Sequence, residues 1–359
     1  MSADLIHGWQ ERIRAAAAAR QPLALRGGGS KDFYGEAIRG EILDTTALSG
    51  VVDYDPTELV VTARAGTPLA EVERVLGEAG QMLAFEPPHF GPGATLGGTV
   101  AAGLSGPRRP YAGAVRDVVL GVRVLDGKGS DLAFGGRVMK NVAGFDVARL
   151  MTGAMGTLGV LLEISLKCQP CPKAVVTRVL DVGAAESLRR VNAWSAQPLS
   201  LSATCHHAGR LYVRLAGAAP AVEAAGARIG GTVLAEGDAL FCSVREHTHP
   251  FFAAAMSPTR SLWRVSVKST APSTNLGGEQ LIEWGGALRW IDADRELDGG
   301  RIRAWAESYG GHATLFRAAD KSGGVFHPLP EVLWQLHRRL KANFDPAGIL
   351  NPGRFYPDL

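Results

Sequence analysis

Cysteine is scarce: four residues, Cys168, Cys171, Cys205 and Cys242, are too few and too scattered among 359 for a disulfide framework, which suits a reducing compartment. Neither sign of charge dominates. The 38 basic residues against 35 acidic ones leave a formal +3, which excludes a nucleic-acid partner recognised by bulk charge. Long apolar runs are missing as well. The charge-free stretch 87 to 107 nears membrane-spanning length, but Gly and Pro fill ten of its 21 positions, and those would leave backbone groups unsatisfied in lipid. The opening MSADLIHGWQERIRAAAAAR lacks an apolar signal core and reads as an amphipathic helix. The expected location is cytoplasmic, with membrane contact only through partners at its inner face.

Glycine is what the chain has in excess. Its 45 glycines are about one residue in eight, against roughly 7% in an average protein. Residues 26 to 159 hold 25 of them and the other 225 positions hold 20, so the excess is local. It follows no G-X-Y period, and 46% hydrophobic against 20% charged residues can bury a core, so collagen-like and disordered chains are excluded.

Periodicity outlines the elements. PLALRGGGSKDFYG reads as a strand entering a glycine turn, and TELVVTARAG as a strand. TPLAEVERVLGEAG reads as a helix capped by Thr67, with Pro68 at its first position, Leu69, Val72, Val75 and Leu76 on one face, and Gly80 at its end. VRDVVLGVRVLDGKGSDLAFGG predicts two strands joined by an Asp-Gly turn, FDVARLMTG a short helix and LGVLLEISLKCQP a strand. The prolines of KCQPCP, residues 167 to 172, mark a boundary. Beyond it AVVTRVLDV, AAESLRRVNAWSA, LSLSATCHH, RLYVRLAG, APAVEAAGARIGG and TVLAEG give the β-α-β-β-α-β order of a ferredoxin-like unit. LWRVSVKS, EQLIEWGGALRWI and HATLFRA are three further strand candidates, and PEVLWQLHRRLKANF is a terminal helix. The expected class is α+β: a first domain over residues 1–170, a second over 171–330, and a segment 331–359 returning to the first.

Two glycine clusters carry chemistry. In Arg26-Gly27-Gly28-Gly29-Ser30, consecutive glycines after a strand bring several N–H groups toward one point, as in a phosphate-binding nest; taken alone, the same text reads equally as a tight turn. Gly91-Pro92-Gly93-Ala94-Thr95-Leu96-Gly97-Gly98-Thr99 has no basic residue, so an anion there would rest on backbone N–H groups and the Thr95 and Thr99 hydroxyls. Two such loops in one domain suggest a diphosphate. The Rossmann fingerprint fails at Leu96, and neither Lys31 nor Lys128 completes a Walker motif.

Taken in order, RGGGS, PGATLGGTVAAG, the Tyr-Ala-Gly-x-Val-Arg-Asp segment and GFDVARLMTGAMGTLGV resemble the PCMH-type FAD-binding domain of the vanillyl-alcohol oxidase superfamily over residues 20 to 170. FDPAGILNPGRF resembles the tail of its glycolate and lactate dehydrogenase branch. GEQLIEWGGALRW, GGHATLFR and KNVAGFDVARLMTGAMGTLG resemble the FAD-binding E-subunit family of bacterial glycolate oxidase. The resemblance implies a two-subdomain FAD domain with a ferredoxin-like cap. It places the FAD diphosphate between the loops at 26 to 30 and 93 to 99, and Gly159 and Val160 near the adenine. Carried over to this chain, the cofactor set comprises both clusters from Arg26 to Ser30 and from Pro92 to Thr99, with Gly103, Val115, Arg116, Asp117, Asn141, Gly144, Asp146, Thr157, Gly159, Val160 and Asn351. Covalent attachment in such relatives uses a His in the first loop or a Cys in the second region. Here Gly29 and Ser30 hold the first place and no cysteine precedes Cys168, so dissociable FAD is expected.

Oxidising a 2-hydroxy acid by hydride transfer needs a group for the carboxylate, usually Arg, and a base for the hydroxyl proton, often His. Catalytic members of the resembled branch carry a motif like G-H-x-G-D-G-N-x-H; Gly311-His312-Ala313-Thr314-Leu315-Phe316-Arg317 keeps one histidine and loses the rest. The catalytic candidates are His312, Arg317 and Arg289, with His327 a possible spatial substitute. The favoured expectation is an FAD-binding subunit of a glycolate dehydrogenase complex. That complex makes glyoxylate and passes electrons through an iron–sulfur partner toward quinone, with a sibling flavoprotein doing most of the oxidation. No four-cysteine cluster occurs in this chain, so the partner must supply the iron–sulfur centre. The alternatives are a self-sufficient FAD-dependent glycolate or D-lactate dehydrogenase and a non-catalytic assembly subunit.

The remaining features read more plainly. Cys168-x-x-Cys171 is linker text, and His206-His207 with His247-x-His249 are exposed loop histidines, so no metal is expected. Arg108, Arg109, Arg116 and Arg123 read as contacts for FAD phosphate or an acidic partner, the first two equally as a solvated basic face. Leu281, Trp284, Leu288 and Trp290 read first as core and second as a docking surface.

Overall fold

The structure, a computed structural model, describes residues 2–136 and 146–359. It is α+β and divides into two compact units, one comprising Met1–Leu104, Ala114–Pro170 and Pro328–Leu359, the other Ser105–Gly113 and Cys171–His327.

In the first unit a five-stranded antiparallel sheet runs in the order Val51–Asp55, Val60–Arg64, Val160–Lys167, Val119–Leu125, Asp131–Gly135. Its middle strand is buried almost throughout, as a strand covered on both faces should be. Leu69, Val72 and Leu76 of the helix Leu69–Glu78 and Leu96 and Val100 of the helix Leu96–Ala102 join one core cluster with Val122, Val124, Ile164 and Leu166. The helix Ser2–Ala19 buries Ile6, Trp9, Ile13 and Ala16, a helical spacing, in a second cluster with Leu23, Leu43, Leu162, Ile349 and Leu350. The short parallel pair Leu23–Arg26 and Glu41–Asp44 is extended at its edge by residues 349–351: Leu23 N–H donates to Ile349 O at 2.7 Å and Asn351 N–H to Leu23 O at 2.9 Å. One expectation is corrected here. Thr67 does not cap its helix; Pro68 occupies the cap position, and the Thr67 hydroxyl donates to Arg64 O at 2.7 Å and accepts from Gly50 N–H at 2.9 Å.

The second unit is built on an eight-stranded antiparallel sheet. Its order is Thr232–Leu234, Ala174–Asp181, Arg210–Gly217, Leu201–His207, Gly278–Glu283, Leu288–Asp294, Arg260–Ser266, His312–Arg317. The first four strands with the helices Ala184–Ser195 and Ala219–Ile229 are the expected β-α-β-β-α-β unit. EQLIEWGGALRWI, read as one strand, is a hairpin: the chain reverses at Trp284–Gly286, where Trp284, Gly285 and Gly286 have φ of 53°, 66° and 103°. An L side chain at Gly286 would meet Ser269 O at 2.6 Å, so the tight turn requires a glycine there. The helices Gly237–Arg245, Pro250–Ala254 and Gly299–Ser308 had no counterpart in the sequence reading. Among the described residues no helix is long and apolar enough to cross a membrane.

Candidate functional site

Both glycine clusters meet in the first unit. The Arg26–Ser30 turn leaves its strand toward the loop before Thr95 so closely that a Cβ on Gly28 would lie 1.6 Å from Gly93 O. Backbone thus packs on backbone, and beside it opens a cleft partly exposed to solvent. Of the expected cofactor residues, Arg26, Gly27, Gly28, Gly29, Ser30, Thr95, Gly97, Gly98, Gly159, Val160 and Asn351 line it.

The two loops differ in what they can offer an anion. Near the second loop, Leu96 N–H donates to Thr67 O, Gly97 N–H to Ala65 O at 2.7 Å and Gly98 N–H to Thr95 Oγ1 at 3.1 Å. These three donors are already used to seat the helix Leu96–Ala102. The N–H groups of Gly27, Gly28, Gly29 and Ser30, by contrast, donate to no protein acceptor among the described residues. Four consecutive unspent donors beside a cleft are the arrangement a diphosphate would satisfy. The residues present therefore fit FAD: the first loop offers donors to the cleft, and the second packs against it backbone to backbone.

Side chains hold this loop in place. Arg26 pairs with Asp32 at 2.6 Å, so its charge is balanced within the protein. Lys31, passed over in the sequence, lines the cleft and reaches Ser30 Oγ at 3.4 Å and His89 O at 3.2 Å. Arg354, also passed over, is buried and donates to the carbonyls of Asp32 and Glu36; burial lowers its pKa, and Asp32 and Glu36 oppose that. Asn351 accepts from Leu25 N–H and donates to Met155 O, both at 2.7 Å, which ties the tail to the strand and to the turn that brings Met155 and Gly156 into the cleft. Signals for these residues were faint, since Arg354 and Asn351 lie more than 320 residues from the loop they brace.

Other expected cofactor residues serve the scaffold. Gly103, with φ 66°, ends its helix against Gly153; Asp117 accepts from Ala114 N–H at 2.9 Å; Asp146 caps the helix Val147–Met151. Val115 is core, Arg116 is exposed, and Thr157 donates to Ala154 O at 2.7 Å. Pro92, Gly93, Ala94, Leu96 and Thr99 do not line the cleft, although Thr99 Oγ1 is buried with no hydrogen-bond partner among the described residues. Asn141 and Gly144 lie outside the described residues.

In the second unit the catalytic candidates separate. Strand pairing sets Ser266 opposite His312 and Arg264 opposite Trp290, whereas Arg289 stands opposite Val265, on the other face of the sheet. There the Arg289 guanidinium is fully buried over Trp305 and bonded to the carbonyls of Ala271, Pro272 and Gly286, with its pKa lowered to about 10 by desolvation. It is a structural arginine and cannot converge with His312. The His312 residue is exposed; partial burial of its ring, with Arg264, His327 and Arg109 nearby, pushes its pKa down to about 4, so it is neutral near pH 7. Arg317 is lowered to about 10 by burial. His327 contacts Glu307 at 3.0 Å and accepts from Ala313 N–H.

The histidines expected on exposed loops are otherwise engaged. His206 is buried and bonded to Val182 O, while His247 stacks on Phe252 at 3.9 Å and meets Trp290 edge-on at 4.6 Å. No group of three or more residues able to hold a metal occurs among the described residues.

Residues 8–134 match the model of the FAD binding domain, and residues 327–355 that of the C-terminal domain of FAD linked oxidases. The chain is 46% identical over 349 residues to glycolate oxidase subunit GlcE of Escherichia coli (strain K12), covering 97% of each. It is 30% identical over 141 residues to a D-lactate dehydrogenase of Anaerostipes hadrus, covering 39% of this chain and 29% of that one. Over 160 residues it is 29% identical to glycolate oxidase subunit GlcD of Bacillus subtilis (strain 168), covering 44% of this chain and 34% of that one. Among solved structures, alkyldihydroxyacetonephosphate synthase superposes with a TM-score of 0.66 over 96% of this chain and 74% of that one; at 15% identity this establishes the fold alone.

Proposed function

Since the chain belongs to the family of glycolate oxidase subunit GlcE, we propose that it is the FAD-binding subunit of a glycolate-oxidising complex that forms glyoxylate and hands electrons to an iron–sulfur partner and then to an acceptor such as quinone. The observation that carries the FAD assignment is the run of unspent N–H groups from Gly27 to Ser30 at the cleft. These four groups would hold the diphosphate, with Arg354 and Asn351 fixing the loop and Gly159 and Val160 lining the far wall. The chemistry a bound FAD supplies is acceptance of a hydride and release of electrons to a partner. No histidine or cysteine stands in the nest, which supports a dissociable cofactor.

This chain's contribution to proton transfer is limited by what accompanies His312. Its imidazole is neutral near pH 7 and able to accept a proton. Ala313, Thr314 and Leu315 follow it, and their side chains offer no carboxylate or amide to orient a substrate. Slow turnover alone and faster turnover in the complex follow.

The test is the visible spectrum of the purified full-length chain. Flavin absorbance should be present and should move to the supernatant on acid precipitation. Glycolate should bleach it slowly in the isolated chain and rapidly once the sibling and iron–sulfur subunits are added. A colourless protein after incubation with FAD refutes the flavin assignment, and rapid bleaching of the isolated chain replaces the complex-dependent reading with a self-sufficient dehydrogenase.

A further inference from the structure

The helix Glu331–Phe344 is anchored to the first unit along one side. Trp334 meets Tyr356 edge-on at 5.7 Å, His337 stacks on Phe355 at 5.8 Å, Lys341 is buried, and Leu340 and Phe344 pack on the core cluster. Those positions recur at three- and four-residue steps and define the inner side. A surface helix normally gives its outer side to polar residues. Here Val332 and Leu336 occupy the first two outer turns, 79% and 49% exposed, with Leu333 on their flank at 45%. Steps of three and four residues make the three side chains neighbours. Among the described residues no other helix exposes a large apolar side chain.

The stripe changes character within one turn. Arg339 continues it three residues beyond Leu336, and Arg338 flanks it; both are exposed, and neither makes a hydrogen bond or ion pair among the described residues. Asp358 lines the same hollow as Arg338 without pairing with it. At the helix start Glu331 accepts from Gln335 Nε2 at 2.9 Å. Whatever covers this surface must bring apolar atoms to one end and negative charge to the other. A lipid surface favours an apolar face along the whole helix, and this one stops after two turns. A second copy brings one carboxylate, Glu331, for two guanidinium groups, so self-pairing leaves positive charge on both sides. A different protein can supply the missing carboxylates, and an apolar centre beside a charged rim is how protein interfaces are built.

We propose that Val332, Leu333 and Leu336, continued by Arg338 and Arg339, form the surface on which another protein subunit of the glycolate-oxidising complex docks, through apolar side chains flanked by carboxylates. That such a complex forms rests on the reading above; the surface rests on the exposed stripe and its charge.

The test is co-purification of the tagged, full-length, FAD-loaded chain with the sibling flavoprotein and iron–sulfur subunits, co-expressed as defined partners. Wild type should recover at least one of them in stoichiometric amount. Val332→Asp with Leu336→Asp should lower that recovery by about tenfold or more, and so should Arg338→Glu with Arg339→Glu, which leaves the apolar stripe intact. Flavin content and Tm should stay at the wild-type level in both, and Met256→Asp, at an exposed apolar position of the second unit, should leave recovery unchanged. Undiminished recovery in either double variant overturns the proposal. It is equally overturned if the same variants abolish instead a dimer of the isolated chain, read by light scattering, or its flotation with anionic phosphatidylglycerol vesicles. A wild type that recovers neither subunit refutes the complex reading and this surface together, so the wild-type lane separates that failure from a failure of the surface alone.

Discussion

Gly28 and His247 show how much a single side chain decides. A Cβ at 28 would need to pass through Gly93 O, so Gly28→Val must push the two loops apart. Flavin retention should fall by at least about tenfold, read as the FAD dissociation constant, while the second unit is untouched. His247 acts through protons. Desolvation first, then Arg317 and Arg264, keep its pKa well below the ordinary 6.5. The folded state therefore declines a proton that the unfolded chain takes up below pH 6.5, so its stability is complete above that pH and erodes as pH falls. The erosion is at most about 1.4 kcal/mol per pH unit for each such histidine. Urea midpoints between pH 7 and 5 should show this slope, and His247→Asn, neutral and tolerant of the 57° φ there, should lower it by one proton's worth. At this scale the sequence was legible only where residue type is decisive. Glycines in a nest announce backbone chemistry, but Arg289 and Arg264 look alike in text. Which arginine faces His312 is set by strand register, and register depends on partners remote in the chain.

Whole elements were easier to read than their ends. The helix Leu69–Glu78 and the ferredoxin-like unit follow from period and punctuation, since local propensity and burial agree there. The hairpin at Trp284–Gly286 was hidden because the residues on either side of it, 281–283 and 288–293, are all buried, so that a turn made by two glycines resembled a continuous buried strand. The helix Glu331–Phe344 shows what an element contributes beyond its own hydrogen bonds. Its Lys341 Nζ donates to Thr157 O at 2.9 Å, and to Asp345 Oδ2 and Leu350 O at 2.7 Å, all buried. Asp345 in turn accepts from Leu350 N–H at 2.7 Å. Lys341→Met removes the cation and leaves the buried carboxylate uncompensated, a loss of about 3–5 kcal/mol. Thermal unfolding should register that loss, with flavin affinity falling in parallel because the same cluster holds the tail that braces the nest.

For the whole molecule, the first unit was legible in the sequence and the chemistry of the second was not. Ordered glycine segments mark the first unit because backbone packed on backbone, as at Gly28 and Gly93, constrains residue type. The second unit is constrained mainly to keep a sheet, and many sequences do that, so its chemistry emerges only when strands are paired. The complex-dependent reading predicts that glycolate oxidation by a reconstituted assembly depends on this chain's flavin. Gly28→Val should therefore depress the assembled rate even when every partner is intact, as dye reduction with saturating glycolate would measure.

Asn351 and Arg354 close onto a strand and loop that begin at Leu23, so the cofactor nest joins the first and last stretches of the chain. A ribosome delivers the glycines more than 320 residues before their braces. A chain released before residue 351 would carry the glycines without the side chains that hold them, and should retain added FAD less well than one read through Arg354, as flavin content after gel filtration would show.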